Sequence, residues 1–192
     1  MMIVKDNGYV YIAKYSWLSL CSGHSDTEWC LLEENVSMWK VPNEDDIIVA
    51  LTGSNASFIS DALRYEPDFV RGELSLDKII LEVIPELKEL LKACGKLSEN
   101  GRMRTSLVLA QKDRAYVVTG NFNCYEVEGD DAVGSDKNFQ RATLFMCKDL
   151  SPNERFRFSA KARGKAIQSN EFPLYVIDTK TCKPYLLRED EN

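Results

Sequence analysis

A chain of 192 residues with 44% hydrophobic and 28% charged side chains has the make-up of an ordinary globular protein with one sizeable core. Thirty acidic against 24 basic side chains give a net charge of −6, which argues against a general nucleic-acid binder, since that function wants a basic face. No apolar run approaches the ~20 residues needed to cross a bilayer. The opening residues lack the basic-then-apolar layout of a signal peptide, so the expected address is cytoplasmic. One domain spanning residues 1–192 is expected, with 188–192 fraying.

The six cysteines, Cys21, Cys30, Cys94, Cys124, Cys147 and Cys182, are scattered and form no C-x-x-C. Reduced, mostly buried small side chains are therefore expected.

The chain opens on a hairpin. Ile3 and Val4 begin a strand, Asp6-Asn7-Gly8 turns it, and Tyr9–Ala13 returns. Asn-Gly between β-formers suits the tightest turns because both residues tolerate positive φ. Lys14–Leu20 extends the second strand, Cys21–Thr27 is a polar loop, and Trp29–Leu32 is apolar again. Ile47–Leu51 is a continuous apolar run, as in a buried strand. A helix follows, capped by Ser54 or Asn55, with Phe58, Ile59, Ala62 and Leu63 on one face. Leu76–Leu97 carries the longest helical pattern, with Ser75 as a partial cap and Lys78 where a capping box would place Glu. Pro85 is expected to kink or divide it, and Gly95 or Gly101 to end it. Short strands follow at Thr105–Gln111, Ala115–Thr119 and Cys124–Val127, turned at Lys112-Asp113 and Gly120-Asn121. A helical pattern then carries Phe139, Ala142, Thr143, Phe145 and Met146. Ser151-Pro152-Asn153-Glu154 is a helix-start signature, and that helix runs through Phe158, Ala162 and Ala166. Phe172–Asp178 and Tyr185–Leu187 close the chain as a strand pair. Hairpin-joined strands with paired helices predict an α+β fold of antiparallel sheets covered by helical layers.

Four stretches together resemble the proteasome β-subunits and the bacterial proteasome-like peptidase HslV. They are Ile3–Ala13; Asn35-Val36 with Lys40-Val41 and Ile47–Ser54; Leu107–Thr119 with Tyr125–Val127 and Asp131–Ser135; and Asp149–Pro152 through Leu174–Asp178. The resemblance implies the N-terminal nucleophile hydrolase fold, a four-layer αββα sandwich of two antiparallel sheets between helices. It also implies subunits that assemble into oligomers, a ring or a dimer, and a threonine-peptidase reaction. In that reaction a terminal threonine attacks, its own amine is the base, and a lysine and an aspartate tune it.

The residues at the matching positions do not supply those parts. The chain begins Met1-Met2, and a thioether has no proton to lose. Anchored on Asn7-Gly8, the first strand is expected to stop about two residues short of the nucleophile position, because strand pairing leaves little slack. Tyr15 replaces the aspartate, Met38 stands where the lysine belongs, and only Ser135 of the Gly-Ser turn remains. The expectation is a non-catalytic binding, assembly or regulatory protein that has lost threonine-peptidase activity. It would have a protein partner or further copies of itself, and no cofactor, metal, nucleic acid or membrane. The alternative is a hydrolase with an unconventional nucleophile, either Cys21 with His24 as base or Ser135. A zinc site on Cys21, His24 and Cys30 would need Asp26 or Glu28 as fourth ligand and lacks the usual spacing. Arg155, Arg157, Lys161, Arg163 and Lys165 read as a solvated basic helix face.

Overall fold

The structure, a computed structural model, describes residues 1–15, 37–42, 44, 46–53, 56, 59, 60, 63, 70–168 and 171–189, and the backbone alone at 17–20 and 28–31. Strands β1 (Met2–Asp6) and β2 (Tyr9–Tyr15) form the opening hairpin. Asn7 at φ 49° and Gly8 at φ 79° both take the left-handed conformation that a two-residue turn demands. Residues β3 (Trp17–Leu20) and β4 (Glu28–Leu31) do not prolong β2; they pair with each other as a separate two-stranded sheet. The strands β5 (Met38–Lys40), β6 (Ile47–Gly53), β7 (Thr105–Gln111), β8 (Arg114–Val118) and β9 (Cys124–Glu126) form one antiparallel sheet in chain order. The facing sheet runs β10 (Asp131–Ala132), β1, β2, β11 (Leu174–Asp178), β12 (Tyr185–Leu187), also antiparallel.

Strand periodicity explains the layering. Met1, Ile3, Val10 and Ile12 point one way and pack with Met38, Ile48, Ala50, Val108 and Val117 of the second sheet, forming the core between the sheets. Met2, Val4 and Ala13 point the other way and pack with Leu144, Phe156 and Ala160 of the helices outside. A third cluster lies on the far side of the second sheet, where Val49, Leu51 and Leu109 meet Ile59, Leu63, Ile79, Val83 and Leu87. Each fully buried Ile or Leu contributes roughly 1.5–3 kcal/mol. The result is the expected αββα sandwich. Ile59 and Leu63 are helical and fully buried, as the spacing predicts. The expected cap at Ser54 or Asn55, and Phe58 and Ala62, lie outside the described residues.

Helix α1 runs continuously through Leu76–Lys78, Ile79–Val83 and Ile84–Ala93. Ser75 caps it, accepting from the Lys78 amide at 3.2 Å. Pro85 does not divide it. The preceding turn, Ile79–Val83, widens to π-helix, with the Ile84 amide donating to Ile79 O, and this gives the proline ring room against the turn before it. Gly95, at φ 63°, ends the helix, as expected for a left-handed C-terminal residue. Helices α2 (Lys137–Met146) and α3 (Pro152–Ile167) cover the first sheet. The Ser151–Glu154 capping box opens α3, with the Ser151 amide donating to Glu154 at 3.0 Å. One face is not as the pattern suggests. Helix α2 buries Gln140, Thr143 and Leu144 and turns Phe139, Phe145 and Met146 outward.

Candidate functional site

The two leading methionines separate because successive strand residues face opposite sides. Met2 is fully buried on the helix side of the first sheet, so it is not the residue that enters the candidate cleft, the side-chain-filled space between the sheets. Met1, 5% exposed, lies between the sheets in the same cluster as Met38, which is 3% exposed. The start of the chain is tied to the segment after β10 by backbone bonds. The Met1 amine donates to Val133 O at 3.0 Å, and the Val133 amide donates to Met1 O at 2.9 Å. Those bonds seat Met1 directly before the Gly134-Ser135 turn. Gly134, at φ +117°, carries the turn, and Ser135 is exposed on it.

Burial and neighbouring cations set the state of this amine. Its pKa is pulled from 8.0 down to about 5, first by desolvation, then by the Lys14 ammonium, with Asp136 opposing and Arg163 adding a little. At neutral pH it is an uncharged base. Lys14 shares the parity of Val10 and Ile12 and so points between the sheets, where it donates to Ser37 Oγ and, at 3.1 Å, to Leu51 O. Burial pulls its own pKa down to about 8. A lysine supplied by β2 therefore acts electrostatically on the terminal amine, while Met38 on β5 is packed as a hydrophobe.

Tyr15 faces the helix side. Its hydroxyl accepts from Gln140 Nε2 at 2.9 Å, and the Arg163 guanidinium lies 4.7 Å from its ring centre. Burial pushes its pKa up to about 12, so it remains neutral and cannot stand in for a carboxylate. Arg163 is held in turn by Asp136 at 2.7 Å and by the buried Glu171.

Sequence reasoning missed Lys14, Ser37, Gln140 and Arg163 as parts of this region. The signal was available for Lys14, since period-two alternation from Val10 and Ile12 points it inward. Cys21 and His24 lie outside the described residues, and the side chains of Cys30 and Glu28 are not described, so that loop contributes nothing to the site's geometry. Of the four described cysteines only Cys147 is buried; Cys124 and Cys182 are half-buried and Cys94 is exposed, contrary to the expectation of mostly buried thiols. Among the described residues, the chemical inventory of the cleft is a neutral amine, a partly desolvated lysine, the Ser37 hydroxyl and two thioethers. The Met1 side chain itself offers neither a hydroxyl nor a thiol.

This architecture is the proteasome β-subunit and HslV-like fold, the N-terminal nucleophile hydrolase sandwich. The chain is similar to Thiobacillus denitrificans BPH in complex with epoxomicin, at 17% identity over 92% of this chain and 96% of that one, with a TM-score of 0.71. It is similar to Anbu (ancestral beta-subunit) from Yersinia bercovieri, at 14% identity over 99% and 87% of the two chains, with a TM-score of 0.67. Eukaryotic HslV from Trypanosoma brucei matches at 16% identity over 92% and 97%, with a TM-score of 0.57. No sequence-family model matches the chain, nor does any curated protein. Among the described residues no helix is long and apolar enough to cross a membrane.

Proposed function

We propose that this protein is a proteasome-like subunit that has lost the threonine-peptidase reaction and acts as a non-catalytic binding, assembly or regulatory component. It forms one domain over 1–192 and works in the cytoplasm, as a homo-oligomer or with a protein partner. One observation carries the reading: the residue at the Gly134-Ser135 turn is Met1, whose side chain is packed with Met38 in the core between the sheets. A neutral amine there can accept a proton, but a thioether has none to give and forms no stable acyl intermediate. Tyr15 adds no negative charge. The experiment is degradation of an unfolded protein and of fluorogenic peptides by the purified protein, beside a Lys14→Met variant. Both are expected to match buffer. Turnover by the wild type that vanishes in Lys14→Met overturns the reading.

A second reading, a hydrolase with an unconventional nucleophile, has one contact in its favour: the Lys14 ammonium donates to Ser37 Oγ. Ser37 is 3% exposed, so a substrate would have to uncover it first. Selective labelling of Ser37 by a fluorophosphonate is the result that would favour this reading.

A further inference from the structure

The helical layer α2–α3 has a composition that neither the fold nor the cleft explains. Residues 137–167 carry eight lysines and arginines against two acidic side chains, a net +6 in a chain whose total is −6. The layer also turns large apolar groups outward. Phe145 and Met146 are each 73% exposed, Phe139 and Phe158 are 39% exposed, and Leu150 is 42% exposed. Phe139, Ala142 and Met146 fall along one helical stripe, with Arg141 and Phe145 beside it. Large apolar side chains turned outward at helical spacing in this way are uncommon on a surface that meets only water.

Not every cation here is available to a partner. Arg155 is buried and holds Asp130 at 3.2 Å and Asp6 at 3.4 Å. Arg163 is committed to Asp136 and Glu171, Arg141 to Asp131, and the Lys161 ammonium lies 3.6 Å from Glu189. Lys148 is exposed, and its ammonium lies 5.8 Å from the Phe145 ring centre. Between them, Arg141, Phe145, Lys148 and Arg155 with Asp130 line a cavity of about 290 Å³ at the foot of α2. Its rim combines the Phe145 ring with the Lys148 ammonium, while Arg141 and Arg155 there already hold carboxylates.

We propose that the α2–α3 face is a docking surface for an acidic peptide segment of a partner protein, with apolar side chains on the Phe139–Phe145–Met146 stripe and a carboxylate beside Lys148. Charge complementarity selects this occupant. A second copy docking by the same face would set Lys137, Lys148 and Lys165 against their own counterparts. A nucleic acid or an anionic membrane would meet the strongly acidic remainder of the chain, whereas a peptide sees only the local field. The proposal rests on the binding-subunit reading and supplies it with a surface and a class of partner.

The test is fluorescence anisotropy of a labelled synthetic peptide that interleaves Glu with Phe, titrated with the full chain. Its counterpart has Lys in place of Glu. The acidic peptide is expected to bind, to weaken as salt rises, and to lose about tenfold in affinity with Lys148→Glu and with Phe145→Ser; the lysine peptide is expected not to bind. Both substitutions are at exposed positions, and circular dichroism checks that the fold is kept. Equal binding of the two peptides overturns the proposal, and so does unchanged affinity in both variants. Tighter binding to oligonucleotides or to phosphatidylserine vesicles, lost in Lys148→Glu, overturns it in favour of those partners. A stable dimer in sedimentation that Phe145→Ser dissolves overturns it in favour of a second copy. Peptide hydrolysis would instead defeat the loss-of-activity reading, and it is scored separately from anisotropy.

Discussion

Lowering the pH from 8 to 5 should destabilise this protein through one group, the Met1 amine. In the unfolded chain that amine titrates near its ordinary 8.0, and in the folded protein near 5. Between those values the unfolded state binds a proton that the native state refuses. Stability therefore rises with pH through this window. It is lost progressively as pH falls from 8 to 5, and this group adds no further loss below 5. Three units at 1.36 kcal/mol each give about 4 kcal/mol, an upper figure for a group whose surroundings can relax. With a urea m-value on the order of 2 kcal/mol per molar, the unfolding midpoint should move by about 2 M across the window. Urea titrations at half-unit pH steps give the curve, and the ¹⁵N shift of the terminal amine gives the native pKa directly. Replacing Lys14 by Met should bring the amine's pKa part of the way back toward 8, since the Lys14 charge is the second cause of its depression. An amine titrating near 8 in the folded protein would refute the buried-terminus geometry, whatever the urea curve showed.

Three further perturbations probe the frame around the cleft. Met38→Ala removes a side chain packed between the sheets and should lower unfolding stability by about 2–5 kcal/mol in denaturant melts. Arg155→Met leaves Asp6 and Asp130 facing each other without their cation and should destabilise by about 3–5 kcal/mol, with partial recovery when Asp130→Asn is added. Gly53→Ala should cost about 3 kcal/mol or block folding, because the residue sits at φ +137° and a Cβ would stand 2.5 Å from Arg104 O; a melting temperature within a degree of wild type would show that β6 can shift there.

Much of the fold was legible because its signals are local. Asn7-Gly8 carries its own turn, and the Ser151–Glu154 box its own helix start. The unbroken apolar run Ile47–Leu51 marks a strand covered on both faces. What was not legible depends on which way a pattern faces. Helix α2 shows Phe139, Phe145 and Met146 at helical spacing, yet the sheet beneath it accepts Leu144 with the polar Gln140 and Thr143, whose hydrogen bonds to Tyr15 and Ser159 exist only in the assembled layers. Arg155 and Arg163 read as part of a solvated basic face, but both turn inward to carboxylates more than 130 and only 27 residues away in sequence, at Asp6 and Asp136 respectively. At the cleft, residue identity led to the expectation that Tyr15 and Met38 stand in place of the threonine-peptidase aspartate and lysine. It did not show that Met1 rather than Met2 enters the cleft, nor that Lys14 reaches it from a different strand. Both follow from strand parity once the hairpin register is fixed, with Met2 opposite Ala13.

The most direct test of lost terminal-nucleophile chemistry is the pre-steady-state release of fluorophore from an activated peptide ester mixed with stoichiometric protein. An acylating first residue gives a rapid burst of about one fluorophore per chain before steady turnover. With Met1 packed against Val133 and Met38, the predicted trace has no burst and the slope of buffer alone. A stoichiometric burst, with the acyl group mapped by mass spectrometry to residue 1, would contradict it.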